Sequence, residues 1–248
     1  MTSSNLLLDL MPAGIGQAIL DTAVAFEFDA GELVPQHQLR GNFVWMPTGG
    51  VASKFQISAS GRTSEIGMVG REGMFPLSGL LQVQSAPHIV LAQIGPFQGC
   101  RLRTEDFHRL IEGSEQAQSI VCRYTYAFIT QISSNILTSE QTDVAARVAR
   151  WLLMSHDRID GDVVAVTHET IAQMTFSHRP TVTNCLHAMR EHGLIDLTRG
   201  HVTVWSRDGL REIADGAYGL SEQYYRENLG PFGKGPFDDQ WTVTASAA

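Results

Sequence analysis

Between residues 24 and 102 the chain alternates short β-type runs with glycine turns. The runs fall at 24–28, 43–46, 53–58, 64–69, 89–93 and 99–102, separated at Gly31, Gly49-Gly50, Gly61, Gly70 and Gly95. Many short strands with frequent turns predict a sandwich or a roll. Ahead of them, Leu6, Leu10, Ile15, Ile19 and Leu20 mark a short amphipathic helical region, and 104–110 predicts another short helix. The period then changes. From 114 to 137, Ala117, Val121, Tyr124, Phe128, Ile132 and Ile136 recur at three-to-four spacing, with Ile120 and Ile129 widening the stripe. This predicts the longest helix, with a stripe broad enough to pack on its own domain and on a second copy of itself. A polar hinge at 138–141 precedes a helix over 143–155, buried through Val144, Val148, Trp151 and Leu152. After about residue 220 the chain is rich in Gly and Pro and reads as a flexible tail. The expected divisions are 1–110, 111–140, 141–220 and 221–248.

The segment 167–205 carries the most specific pattern. Thr167 can cap a first helix with Glu169 in its first turn, and Ile171 and Met174 give that helix a buried stripe. Ser177 can cap a second helix, and Pro180 falls in its first turn, where a missing N–H costs little. Val182, Leu186 and Met189 form one buried face, leaving Arg179, Thr183, Asn184 and His187 on others. Arg199-Gly200 then makes a two-residue turn between two short strands. Helix, turn, helix and hairpin together are a winged helix-turn-helix, whose protruding helix fits the major groove of double-stranded DNA.

The formal charge of -8 runs against a nucleic-acid partner and is spread evenly along the chain. The DNA reading therefore rests on the acid-free helix 177–190 and on a wing with Arg199 and His201. Of the 18 basic residues all but Lys54 and Lys234 are Arg, the better group for bidentate base and phosphate contacts. Cys100, Cys122 and Cys185 lie far apart, which argues against a cluster or a structural zinc and fits a reducing compartment. No basic residue precedes Arg40, so the N-terminus lacks a secretory pattern, and no apolar run is long enough to span a membrane. A cytoplasmic protein with no metal and no cofactor is expected. The six histidines within 156–201 are irregularly spaced and read as surface groups.

In this order (α+β, with a cupin-like β-roll, a long helix and a winged helix-turn-helix) the chain resembles the Crp/Fnr superfamily of bacterial transcription regulators over about residues 20–215. The resemblance is carried by ARWLLMSHDR at 149–158, VTHETIAQM at 166–174 and HRPTVTNCLHAMREHGLI at 178–195, and more weakly by GMVGREGMFPLSGLL at 67–81. It implies a cyclic-nucleotide-binding-like roll, a dimerisation helix seamed by Ala117, Val121, Tyr124, Phe128 and Ile132, and a homodimer on a palindromic site. The family usually has Gly in the helix-turn-helix turn; this chain has Phe176.

Cyclic-nucleotide-binding members hold the ribose with a Glu and the phosphate with an Arg-Ser or Arg-Thr pair. Aligned by eye, Leu77 stands near the first position and Ala86-Pro87 at the second. A phosphate pocket without its cation leaves a buried anion unpaired, so the effector is not cyclic AMP. Arg71 and Glu72 are the remaining candidate pair for some other small effector, against the plainer reading of a solvated turn. The cysteine set of the Fnr branch is absent, and His37, His88 and Cys100 are too isolated to imply haem. Arg179 matches the family's guanine-reading Arg; Pro180 replaces a Glu and Asn184 a second Arg. Ser177, His178, Thr181, Thr183 and Arg199 complete the expected DNA contacts, with RNA polymerase as a further implied partner. Two other readings stand beside this one. An enzyme on the roll would need two or three clustered His with a carboxylate, and 1–110 offers His37, His88 and His108 without that spacing. A scaffold whose winged helix binds protein would not need Arg179 or an acid-free helix.

Overall fold

The computed structural model describes residues 5–61, 63–83, 88–141 and 143–235. The N-terminal region forms two helices, α1 (Leu6–Leu10) and α2 (Ala13–Thr22), divided at Met11-Pro12. Asn5 caps the first: its Oδ1 accepts from Leu8 N, while its Nδ2 donates to the carbonyls of Pro47 and Gly73. Four antiparallel strands follow, β1 (Val24–Phe28), β2 (Phe43–Ile57), β3 (Thr63–Val69) and β4 (His88–Arg103), in sheet order β1-β4-β2-β3. Between β3 and β4 lies the short α3 (Leu77–Leu80). The runs expected at 43–46 and 53–58 are one long strand, as are those at 89–93 and 99–102. The glycines between them sit in register shifts at Pro47/Gly49 and Gly49/Val51 instead of ending the strand.

Alternation along these strands fills two cores. Phe26, Trp45, Phe75, Phe97, Val69 and Val90 pack inside the roll, while Val44, Met46 and Leu102 face α1, α2, α4 (Thr104–Ile111) and α5 (Glu115–Gln141). The interior of the roll is filled by rings. Phe26 meets Trp45 edge-on at 4.8 Å, Trp45 stacks on Phe75 at 5.7 Å, and Phe75 touches Phe97 at 5.8 Å.

The C-terminal half comprises α6 (Val144–His156), β5 (Val163–Ala165), α7 (His168–Met174), α8 (Arg179–Glu191), β6 (Ile195–Thr198), β7 (His201–Val204), α9 (Arg207–Ala214) and α10 (Leu220–Asn228). Its core is continuous with the roll, because Val51, Met68 and Ile94 pack with Trp151, Leu152 and Met154. The fold class is α+β: an antiparallel roll, a long helix and a winged helix-turn-helix.

Two expectations are corrected. Residues 220–235 are not a flexible tail. Helix α10 packs along α5 through Tyr126–Tyr224, at 5.1 Å between ring centroids, and the Tyr225 hydroxyl donates to the Glu72 carbonyl at 2.7 Å. Phe232 is buried, and residues 236–248 of the expected tail lie outside the described residues. The composition misled because this segment buries the polar Ser221 and Glu222 as well as Tyr225 and Phe232, so its anchoring residues do not read as a simple apolar stripe.

The second correction concerns α5. Ala117, Val121, Tyr124 and Phe128 are buried in the protomer's own core, and Ile132 is half-buried. The outward stripe is instead Cys122, Tyr126, Ile129, Ser133 and Ile136, all exposed and spaced four, three, four and three apart.

Candidate nucleic-acid interface

Helix α7 opens at Thr167, whose Oγ1 accepts from Thr170 N, and carries Glu169 in its first turn, as expected. The turn to α8 places Phe176 at φ 50°, the left-handed region that favours Gly. A non-glycine residue there costs about 1–2 kcal/mol. The surroundings fix the turn. Ser177 N donates to Ala172 O, and Arg147 of α6 donates from Nε to Thr175 O at 2.9 Å and from Nη2 to Ser177 Oγ at 3.1 Å. Ser177 is therefore not the cap of α8: its own hydroxyl donates to Thr175 O, and the N-cap is His178, without a side-chain cap bond. Pro180 lies in the first turn of α8, as its missing N–H requires.

Val182, Leu186 and Met189 bury one face of α8. At 100° per residue, Pro180, Asn184, His187 and Glu191 point most directly away from it. His178, Arg179, Pro180, Thr181 and Asn184 are exposed, and Thr183 is half-buried. Arg179 is on the flank facing α7, with its Nε 3.9 Å from Glu169 Oε2. That carboxylate holds the guanidinium loosely at the mouth of the helix pair. Next to it, His168 Nδ1 lies 3.0 Å from Thr183 Oγ1, and the His168 and His187 rings meet edge-to-face at 6.4 Å. Burial, with His187 and Arg179 close by, lowers the His168 pKa below its ordinary value. Neither histidine was picked out by spacing; helical phase alone pointed His187 outward. The wing pairs Thr198 with His201 around Arg199 and Gly200, the latter at φ 78°, with Arg199 exposed at the tip.

Of the expected effector residues, Arg71 and Glu72 are each engaged in an ion pair. Arg71 Nη2 pairs with Asp160 Oδ1 at 2.5 Å, and Glu72 Oε1 accepts from Arg158 Nε at 2.8 Å, with both partners of the second pair nearly fully buried. Both pairs join the roll to the C-terminal half, so Arg71 and Glu72 are not a solvated turn pair. Leu77 lies half-buried in α3 against the helical core, and Ala86 and Pro87 lie outside the described residues. No group of three or more His, Cys, Asp or Glu placed to hold a metal ion occurs among the described residues. No helix among them is long and apolar enough to cross a membrane.

Comparisons with known proteins agree with this geometry. Residues 146–213 match the model of the Crp-like helix-turn-helix domain. A Crp/Fnr-family putative transcriptional regulator from Eubacterium rectale superposes with a TM-score of 0.60 at 18% identity, covering 85% of this chain and 98% of that one. A Crp-family transcriptional regulator from Thermus thermophilus gives 0.63 at 20% identity, over 78% and 98% of the two chains. FixK2 from Bradyrhizobium japonicum gives 0.65 at 16% identity, over 77% and 97%. The comparison with curated proteins finds no match. Residues 146–213 are thus similar to a Crp-like helix-turn-helix domain, on a chain that shares its fold with these solved structures.

Proposed function

We propose that this protein is a non-enzymatic, sequence-specific transcription regulator that binds a palindromic DNA site as a homodimer, and that its effector is not cyclic AMP. The observation that carries the reading is the braced helix pair, which holds Arg179 and Pro180 on an exposed, acid-free first turn of α8 and Asn184, also exposed, in the turn that follows. Arg179 reads guanine through O6 and N7, and Asn184 pairs with adenine. Pro180 cannot accept from cytosine, so the base opposite loses its constraint. His178, Thr181, Thr183 and Arg199 contact the phosphates. Ser177, bonded to Arg147, holds the turn.

The exposed stripe on α5 supports the dimer. Tyr126, Ile129 and Ile136 are each about half exposed at coiled-coil spacing, an apolar seam that a second copy would cover. The ring-filled roll speaks against a cyclic nucleotide as the effector. A scaffold that binds protein through the winged helix leaves the exposure of Arg179 without a use.

The test is selection from random DNA followed by binding measurements. Inverted half-sites with a guanine, centred about one helical turn apart, are expected. Arg179→Ala should cost about 1–3 kcal/mol per half-site on the selected DNA and little on random DNA. Equal loss on both would reduce Arg179 to a phosphate contact, and recovery of direct repeats would refute the symmetric dimer.

A further inference from the structure

With its imidazoles neutral, the segment 167–201 has no net charge: Arg179, Arg190 and Arg199 are matched by Glu169, Glu191 and Asp196. It contains no Lys but five histidines: His168, His178, His187, His192 and His201. In a chain of charge -8, such a surface gains little from approaching a polyanion. Two of the histidines are not scattered. His168 opens α7 and His187 stands on α8, their rings 6.4 Å apart, beside the outward positions Asn184 and Pro180. The charged groups beside the pair are Arg179 at the start of α8 and Glu169 in the first turn of α7; Arg190 and Glu191 follow His187 by three and four residues at the end of α8.

We propose that His168 and His187 form a phosphodiester-binding pair that takes up a proton as the DNA backbone docks, making site affinity rise as pH falls. This rests on the DNA-binding reading above. In the free protein burial, with His187 and Arg179 close by, disfavours the charged form of His168 and holds its pKa below the ordinary value. A phosphate beside the pair reverses the balance, because an imidazolium can donate to it through N–H while cancelling its charge. The bound complex then holds more protons than its parts. Affinity is therefore full below the pKa of His168 in the free protein and is lost as pH rises through its pKa in the complex, by about tenfold per pH unit for the proton taken up. Thr183, 3.0 Å from His168 Nδ1, fixes the ring orientation.

The test uses the full-length protein on its selected site, with Kd measured by fluorescence anisotropy from about pH 6 to about pH 8.5, the range that brackets an ordinary histidine, at constant ionic strength. The wild type should weaken about tenfold or more across that range, and calorimetry in buffers of different ionisation enthalpy should show net proton uptake. His187→Gln should flatten the profile at the weak, alkaline-side affinity. His187→Lys, permanently charged, should flatten it at the tight side. His37→Gln, in the roll, should leave it unchanged. Inorganic phosphate at matched ionic strength should not compete; competition would assign the pair to free phosphate and overturn the proposal. A wild-type Kd that is specific but flat with pH would also overturn it, leaving the DNA-binding reading intact. Absence of binding to any DNA at any pH would sink both.

Discussion

Replacing Arg158 by Met should cost about 3–5 kcal/mol of folding stability, because it strands a carboxylate at the junction of the two halves. Arg158 Nε lies 2.8 Å from Glu72 Oε1, with side chains 1% and 4% exposed. Its Nη1 also donates to Met154 O, and its guanidinium lies 5.0 Å from the Phe232 ring. Methionine restores much of the volume, so the loss is dominated by the unpaired Glu72. Glu72 retains one bond, from Gly70 N to Oε2. Glu72→Gln should cost less, about 2 kcal/mol, because Glu222 and Asp157 still act on the Arg158 charge. The double variant should be more stable than the sum of the two single costs, since no charge is then left alone. Urea unfolding followed by both tryptophan fluorescence and circular dichroism is the assay. The continuous core across the junction predicts coincident transitions. A loss under about 1 kcal/mol for Arg158→Met, or strictly additive single costs, would show that water reaches the pair and that it does not tie the halves together.

Ile129→Arg, on the exposed stripe of α5, should give a folded monomer by light scattering, whereas Phe128→Arg, one residue away but 6% exposed, should fail to fold stably. Monomers from neither variant, or a normal Phe128→Arg dimer, would reverse the assignment of the two faces. Burial pushes the Glu65 carboxyl up from 4.5 to about 7, with the Ser53 hydroxyl bond partly opposing it. Folded protein thus holds a proton that unfolded chain releases. The stability this contributes is present below pH 4.5 and is lost as pH rises to about 7. Glu65→Gln should therefore match the wild type near pH 4.5 and exceed it at about pH 8 by about 1–3 kcal/mol; equal stability at both would mean an ordinary, hydrated carboxylate. Cyclic AMP at millimolar concentration should not raise the melting temperature, whereas a true ligand at a hundredfold excess over its Kd would add about 2.7 kcal/mol.

What was legible in the sequence was what is local. The cap at Thr167, the stripe Val182-Leu186-Met189 and the turn at Arg199-Gly200 each lie within a few residues of one another, and each forms as expected. The choice of face on α5 was not legible, because both stripes are largely apolar. Only the tertiary fold reveals that Tyr124 and Phe128 meet the roll while Ile129 does not. The role of Glu72 was hidden for another reason: its partner is 86 residues away, and no period connects them. Helix α10 was missed because its buried residues include Ser221 and Glu222, which composition counts as exposed.

The seam bears on how such a protein can be controlled. An effector shifts the DNA-binding half only if it binds two arrangements with different affinity. The roll interior offers little room for that difference, since Phe26, Trp45, Phe75 and Phe97 already occupy it and close packing resists small deformation. The junction is different in kind. Beside the apolar contacts of Val51, Met68 and Ile94, it carries the two ion pairs Arg71–Asp160 and Glu72–Arg158, and the C-terminal segment, where Tyr225 reaches the Glu72 carbonyl and Lys234 N donates to Asp157. Polar groups of this kind can exchange partners in discrete steps, which close-packed rings cannot, so a change of arrangement is expected at these contacts and not in the roll interior. Loss of Arg158 should therefore alter DNA affinity as well as stability, even though it lies outside the reading helix.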